Sequence, residues 1–153
     1  MQHPMHDHDW IASHIPHHGS MCLLEQVLSW DAQNVLCRSI SHRLLDNPLR
    51  AHGRLGAACA IEYAAQAMAV HGALLQPHPA AAAATRFGLL TAAREVELLV
   101  ARLDDVTHDL HVSAQRLHGD ERGALYAFAL HAGNALLARG RASLLLDAPP
   151  SGP

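Results

Sequence analysis

The sequence predicts an α+β fold in which an antiparallel sheet wraps around one long central helix. Residues 56 to about 75 form an Ala-rich run of high helix propensity that is apolar nearly all the way around. Six segments of strand character, separated by turn-forming residues, flank that run in the chain. A sheet with only one helix to cover it wraps around that helix and buries it on most sides.

The first twelve residues, rich in His and Asp, read as a polar N-terminal segment. One domain then runs from 13 to 147, and residues 148–153 read as a disordered tail. "MCLLEQVLSW" (21–30) and "NVLCRSISH" (34–42) read as strands joined by the turn "DAQN". In the second, Val35, Cys37 and Ser39 alternate with Leu36, Arg38 and Ile40, the period of a half-buried strand. "RLLDNPLRAHGRL" is a loop broken by Asn-Pro and Gly, and it delivers the chain to the helix. Prolines in "QPHPAAAAAT" (76–85) stop the helix and open a linker. Strands are expected over about 86–102, 108–117, 123–132 and 134–146, with "HGDERG" and "AGN" as hairpin turns. This order is the arrangement called a hotdog fold.

Half of the residues are apolar and the formal charge is only −3, with no run of basic residues. No electrostatic footprint for nucleic acid is present, so a small neutral or carrier-borne substrate fits better. Cys22, Cys37 and Cys59 sit in apolar surroundings without a CxxC pair, as reduced thiols in a cytoplasm do. The start, "MQHPMHDHDW", lacks the pattern of a signal peptide, and no segment reaches the ~20 apolar residues of a membrane span. Among fourteen histidines, His6 and His8 beside Asp7 and Asp9 lack the ligand spacing of a structural zinc site, so no metal is expected.

Between Arg54 and Arg86, Glu62 is the only charged residue. A carboxylate buried in such a helix needs a raised pKa or a dedicated partner. Gln66, four residues on, shares its face, and Tyr63 lies beside it. A buried carboxylate that keeps its proton near neutrality suits the protonation of a leaving hydroxyl. For the base, His42 at the end of the second strand is the first candidate and His52 competes from the same loop. His71 is nine residues along the helix from Glu62, about 13 Å at the standard rise and too far to pair with it. At the helix start, Gly56, Ala57 and Ala58 offer backbone N–H groups able to polarise a carbonyl oxygen.

"IPHHGSMCLLEQVLSWD", "SHRLLDNPL" and "IEYAAQAMA" resemble, in turn, the opening, the active-site loop and the central helix of the hotdog-fold 3-hydroxyacyl-(acyl carrier protein) dehydratases. "DNPLR", "GRL" and "IEYAAQAMAVHGALL" together look more closely like the dehydratase-like proteins of aryl polyene and xanthomonadin pigment clusters. The resemblance implies that His42 removes the C2 proton of a 3-hydroxyacyl thioester and Glu62 protonates or positions the departing C3 hydroxyl. It implies that N–H groups near Gly56 and Ala57 hold the thioester oxygen, and that Asn47 and Gln66 line the substrate site. His17 matches a recurrent histidine read as structural, bonding the adjacent loop, and is kept in reserve. His42 lies five residues before Asn47 and twenty before Glu62, a longer loop than the usual dehydratases have, which keeps His52 in reserve too.

The implied partners are an acyl carrier protein bearing the substrate and a second subunit, giving a homodimer or a heterodimer with a related dehydratase. One subunit's His then faces the other's Glu. No metal or diffusible cofactor is implied. Arg50 and Arg54, beside the proposed mouth, are candidate contacts for an acidic carrier. A hotdog thioesterase, activating water with the same carboxylate, and a non-catalytic or half-site subunit are the alternatives.

Overall fold

The computed structural model describes residues 5–17, 19–76 and 88–146. Most of the expected linker (77–85) and the tail lie outside the described residues. Seven strands form one antiparallel sheet: β1 (His6–Asp7), β2 (Gln26–Trp30), β3 (Asn34–Ser39), β4 (Gly88–Leu98), β5 (Leu110–Gly119), β6 (Gly123–Ala132) and β7 (Ala135–Leu146). Their spatial order is β1-β2-β3-β5-β6-β7-β4. Among the described residues two α-helices accompany them, a short α1 (His8–His14) and a long α2 (Ala60–Leu74). The expected α+β architecture, a sheet curled around one long helix, is what the chain adopts.

The inner face follows the period of two. Val35, Cys37 and Ser39 of β3 are buried while Leu36 and Arg38 between them are not. Leu110, Val112 and Ala114 of β5 and Tyr126, Phe128, Leu130 and Ala132 of β6 continue that surface. Tyr63, Ala64, Ala67, Met68 and Val70 of α2 join the same buried cluster. Gly140 on β7 is paired with Phe128, and a Cβ there would stand 2.9 Å from the Phe128 ring and 3.0 Å from Val96, so the absent side chain lets the neighbours close.

The second strand, expected to reach 42, ends at Ser39 before a 3-10 turn (Ser41–Arg43), and the helix expected from 56 begins at Ala60; three further boundaries differ for a local reason. The N-terminal segment is partly folded: Asp7 caps α1 by accepting from the Trp10 N–H at 2.9 Å, and Ile11 is wholly buried. The strand expected from residue 21 begins at Gln26, because Gly19–Met21 form a 3-10 turn. The strand expected to reach 102 ends at Leu98, and the chain then turns over the start of α2. There Arg102 forms an isolated bridge with Gly56.

Candidate active site

A 3-10 turn, Ala57–Cys59, feeds directly into α2, and no side chain caps that entry. Backbone bonds hold it from the side: the Ala57 N–H donates to Ala101 O (3.1 Å) and the Leu103 N–H to Leu55 O (2.8 Å). Asp104 accepts from the Leu55 N–H at 3.0 Å and from the Arg102 guanidinium. The Arg102 bonds, followed by that N–H, hold the Asp104 carboxyl well below the usual carboxylate range. The Ala57 N–H expected at a thioester oxygen is therefore engaged. The neighbouring Gly56 and Ala58 N–H groups make no backbone hydrogen bond among the described residues.

Glu62 lies in the first turn of α2, where a negative charge is favoured by the helix dipole. Its Oε1 is 3.1 Å from His17 Nε2 and 3.3 Å from Gln66 Nε2. Its Oε2 has no partner among the described residues. The side chains of His17 and Glu62 are 25% and 33% exposed, so the pair borders the surface. The His17 hydrogen bond, aided by Gln66, lowers the Glu62 pKa against the opposing effect of burial. This reverses the expectation of a carboxyl that keeps its proton near neutrality, because two N–H donors outweigh a desolvation that is only partial. With Glu62 ionised, a neutral His17 carries its proton on Nε2 and leaves Nδ1 bare. That nitrogen is shielded and has no partner among the described residues.

His42 stands elsewhere. It is wholly buried, with Nε2 at 3.1 Å from Val106 O and 3.0 Å from His108 O, so its N–H is shared between two carbonyls. Burial lowers its pKa and keeps the ring neutral. No hydrogen bond or ion pair joins it to Glu62 within the chain. His52 is exposed at a left-handed position (φ 54°) in a turn bridged by Ala51 and Arg54, and makes no hydrogen bond among the described residues.

The two amides expected at the substrate are both buried and engaged internally. Asn47 donates to Ser41 O (2.9 Å) and to the Tyr63 hydroxyl (3.1 Å) and accepts from the Leu49 N–H (2.9 Å). Gln66 accepts from the Leu23 N–H (2.9 Å) and donates to Met21 O (2.8 Å). Arg50 is likewise consumed, donating to the carbonyls of Leu44, Gly53 and His42, whereas Arg54 is exposed. Among the described residues no group of three or more His, Cys, Asp or Glu side chains is placed to hold a metal ion.

Within one chain the structure therefore brings together His17, Glu62 and Gln66, whereas His42 and Glu62, which the resemblance sets opposite each other across two subunits, stand apart. The opening motif contained the histidine, but nothing local in the sequence ties residue 17 to residue 62.

The fold is similar to that of a dehydratase heterocomplex, ApeI:P from Xenorhabdus doucetiae, at 24% identity over 90% of each chain and a TM-score of 0.79. It is also similar to a putative thioesterase from Silicibacter sp. at 13% identity, over 79% of this chain and 77% of that one, with a TM-score of 0.57. Zebra fish thioesterase superfamily member 2 matches at 17% identity over 84% of each chain, again with a TM-score of 0.57. At these identities the likenesses speak for the fold alone. No curated protein matches the chain. The model of the ApeP-like family, described as ApeP dehydratase, matches residues 10–148, nearly the whole chain. By that match the chain belongs to the ApeP-like family of dehydratases.

Proposed function

We propose that this chain eliminates water from 3-hydroxyacyl thioesters borne on an acyl carrier protein, in the cytoplasmic assembly of an aryl polyene or similar polyene, with Glu62 and His17 as its acid–base pair. The observation that carries this reading is the 3.1 Å contact of the two side chains at the start of the central helix. An ionised Glu62, held on Oε1, keeps Oε2 open to a substrate. The pair takes the C2 proton and returns it to the departing C3 hydroxyl, leaving the enoyl thioester and water. The Gly56 and Ala58 N–H groups, at the positive end of α2, face the thioester oxygen as enolate charge develops. Asn47 and Gln66 then act behind the site rather than on the substrate, and His42 and His52 are not the base. Of the two candidate arginines, Arg54 is the one left to meet an acidic carrier.

The same reading assigns the chain a related dehydratase subunit as partner, since the similar ApeI:P structure is itself a heterocomplex. The deciding experiment incubates the purified chain, alone and with such a subunit, with a 3-hydroxyacyl carrier thioester and follows the enoyl product by mass spectrometry. Turnover that disappears in Glu62→Gln and in His17→Ala supports the pair. Free thiol release without enoyl product would make the chain a thioesterase. Turnover unaffected by either substitution would remove both residues from the chemistry.

A further inference from the structure

We propose that Asp104 is a positioning residue for the reaction: its carboxylate completes the backbone pairing that turns the Gly56 N–H away from the β4–β5 connection and onto the thioester oxygen. This rests on the dehydratase reading above and deepens it. The chain leading into α2 lies antiparallel to residues 101–103 of that connection. Gly56 and Arg102 form the bridge, flanked by the Leu103 N–H on Leu55 O at 2.8 Å and the Ala57 N–H on Ala101 O at 3.1 Å.

Bonds at the flanking residues make Gly56 and Arg102 a non-hydrogen-bonded pair, in which each residue's own N–H and C=O point away from the other segment. The Gly56 carbonyl accordingly accepts from the Cys59 N–H at 3.0 Å, on the side of the helix. Gly56 is extended (φ −65°, ψ 153°), so its N–H leaves on that side too. The residue is exposed, and a Cβ there would meet no atom within 4 Å. Room for a ligand therefore lies beside it.

One bond of the pairing is missing from the backbone, and Asp104 supplies it. A full antiparallel pair would send the Leu55 N–H to Leu103 O. That carbonyl is drawn into a turn, where it accepts from the Val106 N–H at 3.1 Å, and Asp104 Oδ1 receives the Leu55 N–H in its place at 3.0 Å. Two arginines hold the carboxylate there. Arg102 donates Nε–H to Oδ1 at 2.9 Å and a second N–H to Oδ2, and Arg50, from the Asn-Pro loop, stands 4.0 Å from Oδ2. The Asp104 side chain is only 7% exposed, so no solvent shell replaces it readily as acceptor. Without it the Leu55 end of the pairing comes loose, and the direction of the Gly56 N–H is lost with it.

The test compares the full chain with Asp104→Ala, Asp104→Asn and a control, Asp105→Asn, which removes the same charge from the same connection at a side chain 64% exposed and 4.0 Å from Arg102. Each is assayed with the related subunit where turnover needs it. A saturated acyl thioester, 13C-labelled at the carbonyl and without a hydroxyl to lose, is then bound to each and its carbonyl band read by infrared difference spectroscopy. In Asp104→Ala, kcat should fall by about 10²-fold, the cost of a ~1 Å misplacement, with KM little changed. The carbonyl band should move to higher frequency than in wild type, because the oxygen has lost a donor. Asp104→Asn keeps an acceptor for the Leu55 N–H without the charge, and should show smaller changes in the same directions. Asp105→Asn should match wild type in both readouts. A lower kcat with an unmoved band would reduce Asp104 to a residue of stability and overturn the proposal, as would an unchanged kcat or equal changes in Asp105→Asn. If Asp104→Ala does not fold, Asp104→Asn decides by the same band. A wild-type chain that binds the thioester but dehydrates no 3-hydroxyacyl substrate would defeat the dehydratase reading, while the band would still judge Asp104. One that binds no thioester would overturn both.

Discussion

His17 Nε2 reaches Glu62 Oε1 at 3.1 Å within a single chain, while the imidazole of His42 gives its N–H to the carbonyls of Val106 and His108. Within one chain the histidine of the opening motif, rather than that of the Asn-Pro loop, is the one that meets the Glu62 carboxylate, and on the function proposed above it is the proton-transfer partner. His17→Ala should lower kcat by roughly 10²–10⁴-fold, the usual range for a lost acid–base group. Glu62→Gln should do the same, and because the two act as one unit, the double variant should be little worse than either alone. Single-turnover enoyl formation measures all three. Multiplying losses in the double variant would mean that the residues act in separate steps.

His42 should matter for stability. Its ring fixes the turn Ser41–Arg43 to the chain ahead of β5, and it is fully enclosed. Removing it leaves a cavity and two carbonyls short of a donor, so His42→Ala should cost about 2–4 kcal/mol in urea denaturation. At temperatures where the variant is folded, its turnover should stay within a few-fold of wild type. A stable His42→Ala chain without turnover would restore His42 as the base.

Acidification should unfold the chain in two stages. Burial lowers the pKa of His42 and of His71, so the unfolded chain takes up protons as pH falls through ~6.5 while the folded chain does not. Stability present above that pH is lost first. The carboxyls of Glu62, Asp104 and Asp109 are also lowered, chiefly by hydrogen bonds from His17, Arg102 and Arg38 respectively. Their contribution is present above the ordinary carboxylate range of ~4 and is lost below it. Urea midpoints between pH 8 and 3 should therefore drop once near and below pH 6.5 and again near and below pH 4. A flat profile between 7 and 5 would mean that the buried histidines exchange protons freely.

Strand periodicity and the apolar helix made the fold legible because both are local signals. Val35, Cys37 and Ser39 declare their shared face within one segment. The short α1 was not legible: seven residues with two histidines carry little helical pattern, and its formation depends on burying Ile11. Glu62 could be singled out by its isolation in the helix, but not its protonation state, which depends on donors brought from residues 17 and 66. Asn47 and Gln66 had the right chemistry for a substrate site. That they are occupied by Ser41, Tyr63, Met21 and Leu23 is a matter of tertiary packing.

Far along α2 from the dyad, His71 spans the interior between two strand regions. Its Nε2–H donates to Asp31 O at 2.8 Å and its Nδ1 accepts from the Tyr126 hydroxyl at 2.7 Å, so both ring nitrogens are satisfied and the tautomer is fixed. The rings meet edge to face at 5.6 Å. Tyr126→Phe keeps the ring but leaves Nδ1 buried without a donor, which should cost about 1–3 kcal/mol. His71→Phe removes the acceptor and leaves the Tyr126 hydroxyl and Asp31 O unpaired, a comparable loss. In the double variant the missing hydrogen bond is counted once, so the combined loss should fall short of the sum by about 1 kcal/mol. Turnover should not follow these changes, because nine residues of helix, about 13 Å, separate His71 from Glu62. Thermal unfolding and enoyl formation, measured on the same three variants, check both halves. A fall in turnover at temperatures where each variant is fully folded would mean that the far end of α2 is mechanically coupled to the dyad.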